Sequence, residues 1–167
     1  MPLELTALMG NTAHDNAEVE DLSMALLRFP QGALGQLTSS VVHHGEEQQL
    51  IFQGTDARVS FPWKLCASSS KPNGFPENNP ELEKEIQNYY DSLPDLTYEL
   101  HTGQVENVLK VLNGEEELLL DGMSGKAALE LIMGIYSSSV SGRTVELPLS
   151  ADNPFYSKES ALKAAPH

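Results

Sequence analysis

Basic residues are scarce in this chain: ten Lys and Arg stand against 24 Asp and Glu, for a formal net charge of −14. That balance argues against nucleic-acid binding, because neutralising phosphates requires clustered Lys and Arg. It does not name a partner, since acidic surfaces commonly serve solubility alone. Cysteine is scarcer still. Cys66 stands alone and cannot form an internal disulfide, which fits a reducing cytoplasm. No apolar run approaches the ~18 residues a membrane helix needs, so no membrane association is expected. Met1-Pro2-Leu3 opens without the charged and hydrophobic pattern of an export signal. Catalytic signatures are missing too: there is no Cys-x-x-Cys, no His-Glu-x-x-His and no Gly-x-Ser-x-Gly. Gly122–Gly125 precedes a helical pattern but lacks the three-glycine spacing of a phosphate loop. The residues themselves point to no catalytic, metal or cofactor-binding site.

What is present is a sheet. The 167 residues, 40 % of them apolar, suffice for one domain with a core. Glu20–Trp63 reads as a meander of strands over Glu20–Phe29, Ala33–His43, Gln48–Gln53 and Arg58–Phe61, each rich in β-forming residues and bounded by turns. Pro30-Gln31-Gly32, His44-Gly45-Glu46 and Gly54-Thr55-Asp56-Ala57 supply the turns. Along the first of these strands Leu22, Met24 and Leu26 point one way, and Ser23, Ala25, Leu27 and Phe29 the other. Both sets are largely apolar. Helices are therefore expected on one face, with a second copy of the chain the economical cover for the other.

Leu3–Met9 reads as a further strand, followed by a polar loop, Gly10–Ala17, in which His14 is a solvated side chain. Ala67–Pro80, with three serines, three prolines and three asparagines, reads as an irregular excursion. Asn79 and Pro80 then open a helix to Leu93, with Leu82, Ile86, Tyr89 and Tyr90 in one stripe. A second helix spans Thr102–Leu112. A third, capped by Ser124 and stopped by Gly142, precedes a last strand within Arg143–Leu149. The fold class is α+β: a mostly antiparallel open sheet with helices packed on one face, over residues 1–149, and a surface tail over 150–167.

His43 and His44 are the pair of chemical interest. They sit where a strand meets its turn, beside Glu46 and Glu47, and imidazole suits proton transfer or hydroxyl recognition. The plainer alternative is an exposed polar strand end, and neighbours on a strand point to opposite faces. His101, next to the helix at Thr102, is a capping residue before it is a ligand. Trp63 and Tyr98 are core or rim aromatics rather than a substrate platform.

Several segments together resemble the C-terminal domain of the Gfo/Idh/MocA oxidoreductases, the glucose–fructose oxidoreductase and inositol dehydrogenase family. They are Val19-Glu20-Asp21, Leu26–Gly35, Gly54-Thr55, His101–Leu109, Asp121-Gly122, Lys126–Ile132, Ile135–Ser138, Gly142–Leu149 and Asn153-Pro154-Phe155-Tyr156. The resemblance implies a parent with an N-terminal Rossmann domain that binds NAD or NADP and carries a catalytic lysine in a Glu-Lys-Pro segment. Neither that segment nor the family's Asp-x-Gly-x-His-like helix occurs here. The chain is thus expected to be a fragment, inactive alone, whose partners are that Rossmann domain and further copies of itself through the sheet face. The implied activity of the parent is a cytoplasmic NAD(P)-dependent sugar or polyol dehydrogenase. His43 or His44, and more loosely His101, would then face substrate. Ala57 departs from the family's Gly-x-x-Gly turn, and Asp56 is expected to take the left-handed position instead. The alternative is a free-standing binding or dimerisation module.

Overall fold

The computed structural model describes residues 1–45 and 48–165. In chain order the elements are β1 (Glu4–Gly10), β2 (Leu22–Arg28), β3 (Leu34–Ser40), β4 (Leu50–Gln53), β5 (Ala57–Phe61), β6 (Lys64–Ser70) and β7 (Pro76–Asn78). Then come α1 (Pro80–Asp91), α2 (Leu100–Leu112), α3 (Gly122–Ser141), β8 (Val145–Glu146) and α4 (Lys158–Ala164). The class is α+β, and the ladders are antiparallel, as expected. The strands differ from expectation in belonging to two sheets of four rather than one meander. The division falls after Ser40, and the chain forms two compact units, one of Met1–His44 with residues 113 onward, the other of Gly45–Leu112.

In the first unit the strand order is β3-β2-β1-β8. Leu5 and Ala7 of β1 and Ala25 and Leu27 of β2 turn to the helical face and are buried with Ile135 of α3, Leu147, Leu149 and Phe155. Pleating sends alternate residues the other way. Leu8, Met24, Leu26 and Leu34 stand exposed on the outer face, with Leu8 opposite Met24 and Leu26 flanked by Thr6 and Gln36. The turn from β2 to β3 places Gln31 (φ +67°) and Gly32 (φ +88°) in the left-handed region, so one non-glycine shares the burden expected of the glycine.

β8 pairs with β1 only at Glu4 and Leu5, which leaves the rest of that edge of β1 without a strand partner. α3 supplies the missing acceptors. Ser138 Oγ accepts from the Ala7 N–H at 2.9 Å and donates to the Arg143 carbonyl at 2.6 Å, while Ser139 Oγ accepts from Met9 N–H at 3.0 Å. The helix must come close to do this, and Gly134 allows it. A Cβ there would lie 3.1 Å from Leu147 Cδ2 and 3.2 Å from Leu5 Cδ2. The cap of α3 is Asp121 rather than Ser124: its Oδ1 accepts from the Ser124 N–H and hydroxyl at 2.8 and 2.9 Å. Gly142 ends the helix at φ +64° as expected.

The tail is less peripheral than its composition suggests. Phe155 is only 5 % exposed, Asn153 Nδ2 donates to Ser137 Oγ at 2.9 Å, and Ser157 caps α4. Low mean hydropathy hid one aromatic anchor.

The second unit is a meander, β4-β5-β6-β7, with α1 against β6. The supposed irregular excursion is the β6–β7 hairpin, turned through Gly74 with Gly74 N–H donating to the Lys71 carbonyl at 2.9 Å. Serines are poor strand signals, and here the ladder between Ser68–Ser70 and Pro76–Asn78 overrides them. In the β4–β5 turn Asp56 is not left-handed: Gly54 N–H closes it onto the Ala57 carbonyl at 2.9 Å. Asn79 caps α1 as expected, accepting from Leu82 N–H at 3.1 Å. Glu83 of α1 accepts from the Ala67 N–H at 3.0 Å, and Trp63 stacks on Tyr90 with ring centroids 3.8 Å apart.

Ser138→Ala removes the acceptor of a buried N–H, and it is expected to destabilise by about 1–3 kcal/mol in urea melts. Ser141→Ala, which loses only bonds from its hydroxyl back to the Ser137 and Ser138 carbonyls within the same helix, is expected to stay within about 0.5 kcal/mol of the parent.

Candidate functional site

A concavity lies wholly in the first unit. It is a cleft of about 790 Å³ between the loop after β1, one side of α3 and the tail from Phe155 to Ala165. The loop that forms its rim is held by two side chains. Asn11 Nδ2 donates to the His14 and Ala17 carbonyls, both at 2.8 Å, and to Val19 at 3.2 Å. The Asp21 carboxylate, itself 4 % exposed, accepts from the Thr12 N–H at 2.8 Å, the Thr12 hydroxyl at 3.0 Å and the Ala13 N–H at 2.9 Å. Burial pushes its pKa upward, and those backbone and side-chain donors more than reverse this, holding the group well below the usual carboxylate range.

His14 therefore is not simply solvated. Its ring is half-exposed, with Nδ1 3.1 Å from Asp21 Oδ2.

Along the cleft, Glu20 and Tyr136 meet across 116 residues of sequence, the phenol donating to Glu20 Oε1 at 2.5 Å. Partial burial, then the hydrogen bond and the negative charge of Glu20, push the Tyr136 hydroxyl up to about 12. Ser139 and Lys158 also border the cleft, and Met9, Val19, Leu129, Met133 and Leu162 are among the apolar residues of its wall. Sequence reasoning passed over Asn11, Asp21 and Tyr136. The available signal was Asn11-Thr12 followed by Asp21, residue types that bond to nearby backbone; Glu20–Tyr136 is a long-range meeting with no local signal.

The histidines fall elsewhere. His43 and His44 follow β3 in a bend, not on the strand, and both are exposed; His43 N–H donates to Ser40 Oγ at 3.1 Å. Neither borders the cleft. Glu46 and Glu47, expected beside them in the turn, lie outside the described residues. His101 belongs to the second unit, in the first turn of α2 rather than before it, with Nδ1 3.3 Å from Gln104 Oε1. His43 and His44 thus fall in the first unit and His101 in the second.

The start of α3 is not a dinucleotide cradle. A dinucleotide's pyrophosphate needs free N–H groups at a helix start after a parallel strand. Here the Asp121 carboxylate already occupies the start of α3, and the ladders are antiparallel.

A family model described as the C-terminal alpha/beta domain of an oxidoreductase family, Gfo/Idh/MocA, matches residues 2–147. No curated protein sequence matches the chain. Similar folds occur in solved structures. One is the WlbA dehydrogenase from Bordetella pertussis in complex with NADH and UDP-GlcNAcA, at 22 % identity and TM-score 0.61, covering 89 % of this chain and 43 % of that one. Another is aldose-aldose oxidoreductase from Caulobacter crescentus, complexed with glycerol, at 21 % identity and TM-score 0.58, covering 87 % and 41 %. A third is a levoglucosan dehydrogenase in complex with NADH and levoglucosan, at 16 % identity and TM-score 0.61, covering 89 % and 46 %. At these identities the likeness is one of fold, and this chain spans less than half the length of each.

Two titrations check the electrostatics. The difference in phenolate absorbance between the parent and Tyr136→Phe is expected to show Tyr136 ionising near 12, and Glu20→Gln to move that midpoint downward. Asp21 has a folded-state pKa below its ordinary 3.8, so its stabilisation is complete above that value and is lost as pH falls. Asp21→Asn is therefore expected to lower Tm at pH 7, with the gap to the parent closing below about pH 4.

Proposed function

Because the chain belongs to the oxidoreductase family whose C-terminal α/β domain it matches, we propose that it is the substrate-side and oligomerisation domain of an NAD(P)-dependent dehydrogenase. The parent would move hydride between a nicotinamide and a hydroxyl-bearing carbon of a sugar or polyol. The observation that carries this reading is the match over residues 2–147 to one domain of an oxidoreductase rather than to a whole enzyme. The sugar-related ligands bound by proteins of similar fold favour that substrate class. Cofactor and catalytic lysine would come from a Rossmann domain outside this stretch, and the chain alone would be silent. His43 or His44, exposed beyond β3, would contact substrate in the parent, with His101 a weaker candidate. The single cysteine favours the cytoplasm, and no described helix is long and apolar enough to cross a membrane.

The outer face of the first sheet supports self-association. Leu8, Leu26 and Leu34 are 64–74 % exposed on one face of the sheet, and exposed apolar patches mark contact sites. The alternative, a free-standing binding module, draws on the cleft, which the first unit forms by itself.

Hydride transfer to NAD and NADP, with a panel of sugars and polyols, distinguishes the two. Turnover is expected only when the chain is joined to a Rossmann domain, with His43→Ala or His44→Ala then raising KM; turnover by the chain alone overturns this account. Sedimentation velocity is expected to show a dimer, weakened on the order of 10³-fold by Leu26→Glu, because a twofold interface carries each substitution twice. A parent monomeric at micromolar concentration would remove the association.

A further inference from the structure

The cleft of the first unit is ill suited to a sugar. A buried polyol needs a partner for nearly every hydroxyl, whereas Met9, Val19, Leu129, Met133 and Leu162 offer none. Its volume of about 790 Å³ lies within the range of small-molecule pockets. Asn11, Glu18, Ser139, Tyr156, Ser157 and Lys158 also border the cleft, and Glu20 and Tyr136 are the polar pair that meet directly, beside the apolar wall of α3. Glu20 Oε1 is taken by the phenol, and among the described residues Oε2 accepts no hydrogen bond. The polar end is thus an acceptor, negatively charged, set beside an apolar wall.

We propose that this cleft binds a small amphipathic molecule: an apolar ring or branched body with one hydrogen-bond-donor head, an amine or a hydroxyl. The head would donate to Glu20 Oε2 while the body lies against Met133 and Leu129. An anionic head is disfavoured twice, by the carboxylate and by a phenol already committed as donor to it. Lys158 is exposed at the rim, where water screens it. This inference is independent of the dehydrogenase reading, because it invokes neither hydride transfer nor the histidines.

Calorimetry on the purified 167-residue chain, with 2-naphthylmethylamine, 2-naphthol and 2-naphthoate as probes, tests it. The amine and the naphthol are expected to bind, with naphthoate at least tenfold weaker. Glu20→Gln is expected to weaken the amine about tenfold, the value of one charge-assisted bond. Leu129→Arg and Leu162→Arg, both at exposed positions, are expected to abolish binding while circular dichroism stays unchanged. No binding by any probe, equal binding of naphthoate, or indifference to all three substitutions overturns the proposal. So does loss of amine binding once the chain is joined to a Rossmann domain, which would assign the cleft to the rest of the parent.

Discussion

The first unit depends on how one strand edge is closed. β1 has a full partner in β2 on one side, but β8 covers only its first two residues on the other. Buried N–H groups without acceptors are expensive, so something had to meet Ala7 and Met9. Two consecutive serines on α3 do so, and that choice fixes the helix. Its height over the sheet follows from Gly134, its direction from the Ser138 bond to Arg143, and its rotation from both. Once rotation is set, Leu129, Met133, Tyr136 and Val140, at spacings of three and four, share a neighbouring stripe and border the cleft. The cleft is a consequence of how the strand edge is closed.

Its opposite rim follows a different logic. The loop after β1 carries no apolar anchor of its own, and is held by carbonyls converging on Asn11 and N–H groups converging on Asp21. A buried carboxylate ordinarily resists ionisation. Here several donors aim at it before any ligand arrives, so charge and backbone stabilise one another. Glu20, the next residue back, inherits a fixed position and can meet Tyr136. Polar order in the loop and apolar packing under α3 thus combine at one pair of side chains.

How much of this was legible depends on distance along the chain. Local rules worked: Asn79 and Pro80 at the start of α1, Gly142 at the end of α3, and the alternation of Met24, Ala25, Leu26 and Leu27 all came out as their chemistry dictates. Errors arose where a partner decided the outcome. Ser68–Ser70 form a strand because Pro76–Asn78 lies opposite, and Phe155 is buried because α3 and the sheet leave room for it. The cap of α3 moved from Ser124 to Asp121 because a carboxylate can take both the N–H and the hydroxyl of that serine. For the site, chemistry drew the eye to histidines, but position gave the concavity to Glu20, Tyr136 and the apolar stripe of α3.

The outer face of the first sheet completes the argument about charge. A chain at −14 should repel its own copies. Yet the residues that turn outward, Thr6, Leu8, Met24, Leu26, Gln36 and Thr38, carry no charge, and Glu4 at the edge is paired with Arg28 at 2.6 Å. At physiological salt, repulsion from acids elsewhere fades beyond about 8 Å, whereas apolar burial acts at contact. The charge of the chain therefore does not by itself prevent contact through this uncharged apolar face.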